Sequence, residues 1–524
     1  MKRFLCIFLA LVTVASLFSG CGRSIDNSDY EPTGDALLME DEEVPEATDA
    51  GDSQELTLAY YPDRKMNPLE GSDYTNRVLM SLIYQGLFAV DSNNETYPIL
   101  ASSYKTTPDN RTWTIYLEED AKFSDGTRVT REDVLASYEK ARQNAFYRGR
   151  FTHIARVELS SDGGVDFFMD TPYQNLALLL DIPIVKASEV DSTNPLGTGP
   201  YAFEQTLSGA HLQRVTDWWC GDTKLAATDF SISLVEAKSP AQIRDEFEFG
   251  ELSLACANPQ SDSYTDYRCD YELWEIDNGY LMYVGCNVTY SDFFDDGKLR
   301  TLLTYAIDRE TLVEDNYNGL AYPATLMVSP ASPYYYKALA SKYDYDELKF
   351  IQDMGSFKIP RDSKNKERTL RLLVNNDDSA RLRIARSLAE TLTELGLPTE
   401  TMEYATNTYN AVLNSKNYDI YVGTTRLSAN YDLSEIYKSY GAIGSTGGMA
   451  NETLLNMTQL ALEDEGTYYN LLKMVADDGR VIPIFFGYYA IYAKRGLLSD
   501  LTPARDNVFM YTLGKTMEDC KVKG

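Results

Sequence analysis

Strand and helix patterns alternate between residues 369 and 423, and this alternation limits the fold more than any other feature of the sequence. The predicted elements are, in chain order, a strand at 370–374, an amphipathic helix at 379–395, a strand at 399–404, a short helix at 409–415 and a strand at 419–422. Strands that are connected by helices run in the same direction and pair in parallel in one sheet. The pattern therefore predicts an α/β chain in which at least one part is built on a doubly wound parallel sheet.

The region before residue 150 has a mixed pattern of helices and hairpins. The predicted elements are a strand at 55–61 with Leu56, Leu58 and Tyr60 on one face, a helix at 72–84, a strand at 112–117 and a helix at 132–143. Thr130 and Asp133 have the spacing of a helix-capping pair, which marks the start of the last of these helices. The chain therefore combines a parallel α/β part with hairpin-rich parts.

The first twenty residues have the order of an export signal. Lys2 and Arg3 precede an apolar run at 4–18, and two small residues then lead to Cys21. The run of about 15 residues is shorter than the roughly 20 that a permanent membrane helix needs. A cysteine directly after small residues resembles the lipobox of bacterial lipoproteins. We therefore predict a signal peptide at 1–20 and a lipid on Cys21; a plain signal peptide cut nearby is the alternative.

Residues 21–54 are predicted to form an acidic, disordered tether. Positions 22–54 hold eleven acidic residues and one base, a composition that cannot bury enough apolar surface to offset the ordering entropy. The net charge of −31 excludes nucleic acid as a partner, because its binding depends on basic residues. The charge also disfavours direct adsorption to anionic lipid. About 470 residues remain for a folded body of two or three lobes.

Residue types that carry catalysis or bind metals are sparse. His153 and His211 are the two histidines, and the sequence has no HExxH, CxxC or GxSxG motif. Five cysteines remain after export, an odd number, so at least one is unpaired or all are reduced packing residues. The segment GTGPYA at 197–202 lacks the third glycine of a phosphate loop, and Pro200 removes a backbone donor. We expect no enzyme, no cofactor and no metal.

Several segments, in this order, resemble the family 5 extracellular solute-binding proteins, the oligopeptide-, dipeptide- and nickel-binding receptors of ABC importers. The most specific stretch is FSDGT at 123–127 followed by TREDV at 130–134. The other segments are MNPL at 66–69, YQGL at 84–87, PILAS at 98–102, TWTIYL at 112–117, GTGPY at 197–201, DWW at 217–219, AIDR at 306–309 and IPI at 482–484. The resemblance extends over nearly the whole chain after the tether.

The resemblance implies a three-lobed, periplasmic-binding-protein-like fold of type II with an extra lobe, and a ligand cleft between lobes I and III. The implied lobes are 55–88, 186–280 and 484–524 for lobe I, 89–185 for lobe II and 281–483 for lobe III. It also implies a receptor, anchored on the outer face of the cell membrane, that captures a peptide by cleft closure and delivers it to the permease subunits of an ABC importer. We expect a monomer that contacts the membrane only through its lipid and has no nucleic-acid partner.

In peptide receptors of this family, the stretch that corresponds to residues 426–433 contains an Asp that pairs the ammonium of the peptide. Here Ala429 falls at that position, and Arg426 replaces an aromatic residue. A guanidinium offers a rigid fork of donors to a carboxylate, so we expect Arg426 to bind an anionic group of the ligand, with Asn430 or Asp432 beside it. An ion pair of Arg426 within lobe III is equally compatible with the sequence.

Tyrosine is common, with 39 residues, and several tyrosines lie at strand ends that the family places near the cleft. The predicted ligand contacts among them are Tyr60, Tyr61, Tyr283 and Tyr488. Tyr gives a broad apolar contact and one hydroxyl at low entropy cost. Packing in the core or on the surface is the competing role for each of them.

Three other functions compete with peptide import. The same fold could bind a non-peptide ligand such as an oligosaccharide or a metal chelate, or it could sense peptides at the cell surface without importing them. A secreted hydrolase is the remaining class, and the lack of a nucleophile–base motif disfavours it.

Overall fold

A sheet of eleven strands organises the part of the chain that the computed structural model describes. That part is residues 54–522 apart from 72, 208, 222, 224, 226–229, 441–443, 445–448 and 499–500. The predicted signal peptide, Cys21 and nearly all of the predicted tether lie outside the described residues. The large sheet has the strand order β15-β14-β16-β12-β17-β11-β1-β10-β9-β8, with β13 paired to β17.

The strands are β1 Gln54–Tyr60, β2 Phe88–Val90, β3 Thr96–Pro98, β4 Ala101–Thr106, β5 Thr112–Leu117, β6 Ile154–Leu159, β7 Val165–Met169, β8 Tyr201–Thr206, β9 Gly209–Arg214, β10 Phe230–Glu236, β11 Leu254–Ala257, β12 Glu272–Cys286, β13 Tyr322–Pro323, β14 Leu370–Asn375, β15 Thr399–Tyr404, β16 Ile420–Arg426 and β17 Val481–Ala493. The α-helices are Tyr74–Ile83, Arg131–Ala141, Pro240–Phe249, Lys298–Leu302, Arg309–Tyr317, Lys337–Ala340, Glu347–Met354, Ser379–Glu394, Thr406–Ser415, Ser434–Tyr437, Glu452–Glu463, Tyr468–Asp478 and Met517–Cys520. None of the helices in the described ranges has the length and apolar content needed to cross a bilayer.

The predicted parallel α/β part is confirmed. Strand β14 pairs in parallel with β15 on one side and with β16 on the other. The helix Ser379–Glu394 connects β14 to β15 and starts at the N-cap Asp378. It buries Ile384, Leu388 and Leu392, whose spacing places them on one face. Strand β16 is longer than predicted, because its polar residues after Val422 pair with β12.

The large sheet has two halves, one with β15, β14 and β16 and the other with β11, β1, β10, β9 and β8. The long strands β12 and β17 lie between these halves and join them. Their antiparallel register shifts between Asp277 and Leu281, where Gly279 has a φ of 74°. Residues on the two sides of this irregularity pack in different cores: Ile276 belongs to the core around β1, and Val284 to the core around β14. The bulge therefore marks the place where the two halves of the molecule meet.

A second sheet, of four strands in the order β4-β5-β7-β6, lies within the range predicted for lobe II. The helix Arg131–Ala141 packs beside it and opens with the predicted capping box, in which Thr130 and Asp133 bond each other's backbone N–H groups. The lobe boundaries themselves remain predictions.

The GTGPY segment has a packing role. Gly199 donates its backbone N–H to the Ile83 carbonyl at 2.8 Å, at the end of the helix Tyr74–Ile83. A Cβ at Gly197 would collide with the same carbonyl oxygen. Glycine is required here because the loop backbone touches the helix backbone directly.

All five predicted mature cysteines lie in the described part of the chain and are unpaired: Cys220, Cys256, Cys269, Cys286 and Cys520. This agrees with the alternative in which they are reduced packing residues.

A candidate ligand-binding cleft

A cavity of about 90 Å³ lies between the helix Tyr74–Ile83, strand β2, the segment before β6, the end of β16 and the segment after β17. Its wall contains polar and charged side chains from separate parts of the sequence: Arg77, Arg150, Asp181, Arg426, Arg505, Asp506 and Asn507. The helix Tyr74–Ile83, the end of β16 and the segment after β17 thus each contribute to one cavity. This concave site with several converging polar groups is the candidate ligand-binding cleft.

Asp506 is the centre of a buried ion-pair network in the cleft. Its carboxylate accepts from Arg426 Nη2 at 2.7 Å and from Arg150 Nη2 at 2.8 Å, and Arg150 also forms a bidentate pair with Asp181. Burial by itself would raise the pKa of the Asp506 carboxyl, but the charges of Arg426 and Arg150 hold it well below its usual range. Asp506 is therefore ionised, and it joins three distant parts of the chain.

A second ion pair lies at the bulge between the two halves. Arg505 donates to Asp277 Oδ2 at 2.6 Å and to the Leu427 carbonyl at 3.0 Å. The Tyr431 hydroxyl donates to the same carboxylate oxygen at 2.8 Å. The irregular segment of β12 is thus tied both to the residues after β16 and to the residues after β17.

Arg77 differs from the other arginines of the cleft. No carboxylate of the described residues forms an ion pair with it, and its Nε atom is buried without a hydrogen-bond partner among them. Its guanidinium lies 3.4 Å from the centroid of the Phe146 ring, and Arg426 lies over the same ring at 4.2 Å. Arg150 lies over the ring as well, at 5.8 Å, so Phe146 is in contact with three cations, and Arg77 is the one without an ion-pair partner among the described residues.

The structure places the predicted contacts of the 426–433 stretch in three environments. Arg426 lies in the cleft, where its partner Asp506 belongs to a different part of the chain. Asn430 accepts from the Ser428 hydroxyl at 2.7 Å and stabilises a turn. Asp432 is buried and lies 3.2 Å from the Nε2 atom of His153. The roles predicted for these residues in ligand binding stay predictions.

The four predicted tyrosine contacts do not come together in the cavity beside Arg77. Tyr60 donates to Glu236 at 2.8 Å, and Tyr283 shares a hydrogen bond with Tyr421 at 3.0 Å. Tyr488 packs on another tyrosine ring in the core around β11. All three side chains are buried, which agrees with the packing role that the sequence left open for each of them.

Tyr61 lines a second cavity of about 150 Å³, together with Tyr74, Tyr264 and Tyr267. The Tyr74 ring stacks on Tyr489 with centroids 3.6 Å apart, and the Tyr74 hydroxyl is buried with no partner in the described part of the chain. This wall is aromatic with hydroxyl groups, so it suits an apolar or aromatic group that carries a polar atom.

His153 forms a constellation that the sequence did not reveal. Its Nδ1 atom lies 2.8 Å from Asp170 Oδ1, and its Nε2 atom lies 3.1 Å from the Ser434 hydroxyl and 3.2 Å from Asp432. Burial would lower the pKa of the imidazole, but the two carboxylates outweigh it and raise the pKa to about 9.

A serine, a histidine and an aspartate in this order resemble a hydrolase triad, but the environment does not fit catalysis. Ser434 has no solvent exposure, so a substrate cannot reach its hydroxyl. A ring that is protonated at neutral pH cannot act as the general base for Ser434. The constellation is an ion-pair bridge that joins the residue before β6 and the residue after β7 to the segment after β16.

Sequence reasoning missed Arg77, Arg150 and Asp506. Arg77 is the one charged residue of the helix Tyr74–Ile83, and a lone base in an otherwise uncharged, largely apolar helix is a signal that could have been used. Asp506 lies in a loop and has no local pattern. Among the described residues, no group of three or more His, Cys, Asp and Glu side chains is arranged to hold a metal ion.

Comparison with known proteins identifies relatives of the chain. Residues 95–445 match the family model described as bacterial extracellular solute-binding proteins, family 5 Middle. The glutathione-binding protein GsiB of Shigella flexneri serotype 5b (strain 8401) is 27% identical over 301 residues, which are 54% of this chain and 57% of that protein. GsiB of Escherichia coli (strain K12) is 27% identical over 286 residues, or 51% of this chain and 55% of that protein. The chain spans about half the length of the curated relatives it matches.

Solved structures have the same fold over almost their whole length. The ABC transporter substrate-binding protein CtaP from Listeria monocytogenes superposes with a TM-score of 0.67 at 20% identity, covering 87% of this chain and 97% of that one. The nickel ABC transporter from Bacillus halodurans gives a TM-score of 0.69 at 18% identity, covering 88% and 99%. The predicted α/β, periplasmic-binding-protein-like fold is confirmed.

Proposed function

Since the chain belongs to the bacterial extracellular solute-binding proteins of family 5, we propose that it captures a short peptide outside the cytoplasm for an ABC importer. The observation that carries the proposal is the cleft itself. Three separated parts of the chain meet around one cavity, and the ion pair between Arg426 and Asp506 crosses it. A site with this construction can close around a small molecule and enclose it without chemistry.

The position of the bulge in β12 supports a closing motion. Arg426 ends β16 opposite Tyr280 in the bulge, and Asp506 follows β17, whose last residues pair with β11 in the other half of the sheet. Rotation of one half of the sheet against the other at Asp277–Leu281 would separate these two side chains. A ligand in the cavity beside this pair favours the closed form to the extent that it binds that form more tightly.

The chemistry of the two cavities favours a peptide. The cavity around Asp506 offers guanidinium groups to a carboxylate, and the cavity around Tyr61 offers aromatic rings to a side chain. A peptide carries both kinds of group. We also propose that Cys21 is the lipid-bearing residue that holds the receptor on the outer face of the membrane, where a monomer delivers the ligand to permease subunits.

Ligand capture is tested with the full mature protein purified without denaturation. Mass spectrometry of the molecules that it releases on unfolding should identify short peptides, and titration calorimetry with the identified peptide should give saturable binding. If the released molecules are sugars or metal chelates and peptides do not bind, the peptide part of the proposal is wrong.

The contribution of the cleft is tested with Arg426→Gln, which removes the charge from the pair that crosses it. We expect binding of the identified peptide to weaken by about 2–5 kcal/mol, because the variant removes one of the buried guanidiniums that would face the ligand's carboxylate. Arg156→Gln is the matched control: Arg156 also lies over a phenylalanine ring, at 3.7 Å, and pairs with a carboxylate, but its side chain is 55% exposed. Equal affinity of both variants would show that the ligand binds elsewhere.

A further inference from the structure

We propose that Arg77 and Asn507 form a subsite for the terminal carboxylate of the ligand and for the N–H group next to it. The inference rests on the proposed function, because it assigns the end of the ligand that enters the cleft. It is carried by two buried polar atoms, one donor and one acceptor, that line the same cavity and have no partner in the described part of the chain.

Arg77 is held in place by contacts on both of its Nη atoms. Its Nη2 atom donates to the Gly71 carbonyl at 2.8 Å and its Nη1 atom to the Tyr147 hydroxyl at 3.4 Å, and the guanidinium stacks on Phe146 at 3.4 Å. The Nε atom has no acceptor, although the residue is only 7% exposed. A buried donor without an acceptor is unfavourable, so an acceptor atom supplied by a ligand would bind here with a gain.

The charges around the cavity are not balanced. Four guanidiniums, those of Arg77, Arg150, Arg426 and Arg505, face three carboxylates among the described residues, and ion pairs engage all three carboxylates. A buried positive charge without a counter-ion costs free energy. One further negative charge beside Arg77 would complete the network. A ligand ammonium would instead add to the surplus, so the carboxyl end of a peptide fits this place and the amino end does not.

Asn507 supplies the complementary acceptor. Its Oδ1 atom is buried without a donor partner in the described residues, and the residue follows Asp506 directly in the cavity wall. In a peptide, the carboxylate and the last amide N–H are separated by one Cα atom. The cavity of about 90 Å³ that both residues line is open to a small terminal group of this kind.

The first experiment uses three mixtures of random tripeptides: unmodified, N-acetylated and C-amidated. Each mixture is incubated with the full mature protein, and the captured peptides are counted by mass spectrometry. We expect capture of the first two mixtures and a loss of about 10-fold or more for the amidated one, since amidation removes the charge that Arg77 would bind. Capture of all three to the same extent would overturn the subsite and leave the proposed function standing.

Variants assign the effect to the subsite. Arg77→Met should lose the preference for the free carboxylate over the amide, and Arg77→Lys should recover part of it because the charge remains. Arg142→Met is the matched control, because Arg142 also stacks on a phenylalanine ring, at 4.7 Å, and donates to a carbonyl, but lies outside the cavity. Asn507→Asp should repel the carboxylate and reduce capture of the unmodified mixture. A preference that is unchanged in both Arg77 variants contradicts the inference.

The second experiment does not depend on peptides. Acetate, a minimal carboxylate, should raise the thermal midpoint of the wild-type protein above that in chloride at equal ionic strength, and acetamide should not. The shift should vanish in Arg77→Met and remain in Arg142→Met. If no peptide is captured but the acetate shift depends on Arg77, the peptide proposal fails and the carboxylate subsite stands. If acetate has no effect, or an effect that does not depend on Arg77, the subsite is wrong.

Discussion

The buried His153 should make the free energy of unfolding depend on pH in a specific way. The imidazole lies between Asp170 and Asp432, which raise its pKa from 6.5 to about 9 in the folded protein. A group whose pKa is higher in the folded state contributes stability that is complete below the unfolded pKa and is lost as the pH rises through the folded pKa. The contribution of His153 should therefore be complete at pH 6 and disappear between about pH 6.5 and 9.

The magnitude follows from the size of the shift. At about 1.4 kcal/mol for each pKa unit, a rise from 6.5 to about 9 corresponds to roughly 3 kcal/mol of the free energy of unfolding. His153→Gln removes the titrating group and keeps a polar side chain of similar length. The difference in stability between wild type and variant should therefore fall by roughly 3 kcal/mol between pH 6 and pH 9.5.

The assay is urea unfolding of wild type and variant in parallel over this pH range. His211→Gln is the matched control, because His211 is the other histidine of the chain and its side chain is 33% exposed, 3.5 Å from Glu204. The control should follow the wild-type curve within about 0.5 kcal/mol. A difference between wild type and His153→Gln that stays constant with pH would refute the account of a charged ring between two carboxylates.

Three further predictions concern the ion-pair network, a helix cap and the anchor. Asp506→Asn leaves two buried guanidiniums facing a neutral amide and should lower the free energy of unfolding by about 3–5 kcal/mol, while the exposed Glu158→Gln changes it by less than about 1 kcal/mol; equal values by urea unfolding would contradict the network. Thr130→Ala removes half of a capping box and should cost about 1 kcal/mol in the same assay, and no loss would show that the cap is not needed. Cys21→Ala should move the protein from the membrane fraction to the medium without changing its thermal midpoint, and continued membrane retention on fractionation would count against a lipid on Cys21.

Local elements were predictable where the chain carries its own periodicity. The helix Ser379–Glu394 and the strands β14 and β15 were found within a residue or two, because their apolar spacing is set by the faces they bury. The extension of β16 to Arg426 was not predicted. The residues after Val422 are held in the strand because they pair with β12, which is more than a hundred positions away. The local sequence does not indicate a pairing with so distant a segment.

The site was less predictable than the fold, for a related reason. Arg426 could be singled out because it departs from the pattern of a family stretch, but its partner Asp506 lies in a loop whose sequence carries no periodicity. The tyrosines illustrate a different limit. A strand end such as Tyr60 can turn its ring to the cleft or to the core, and the neighbour that decides this, Glu236, comes from another strand.

The place of β17 in the large sheet has a consequence for the order in which the molecule assembles. β17 is among the last strands in the chain, yet it lies between β12 and β11 and forms the connection between the two halves. Until residues 481–493 arrive, one edge of β12 and one edge of β11 have no partner, and unpaired edges are the sites at which chains associate wrongly. Nascent chains that end before β17 should therefore have two separate halves with unpaired strand edges that are prone to aggregation. The ligand cleft should be among the last parts of the protein to form.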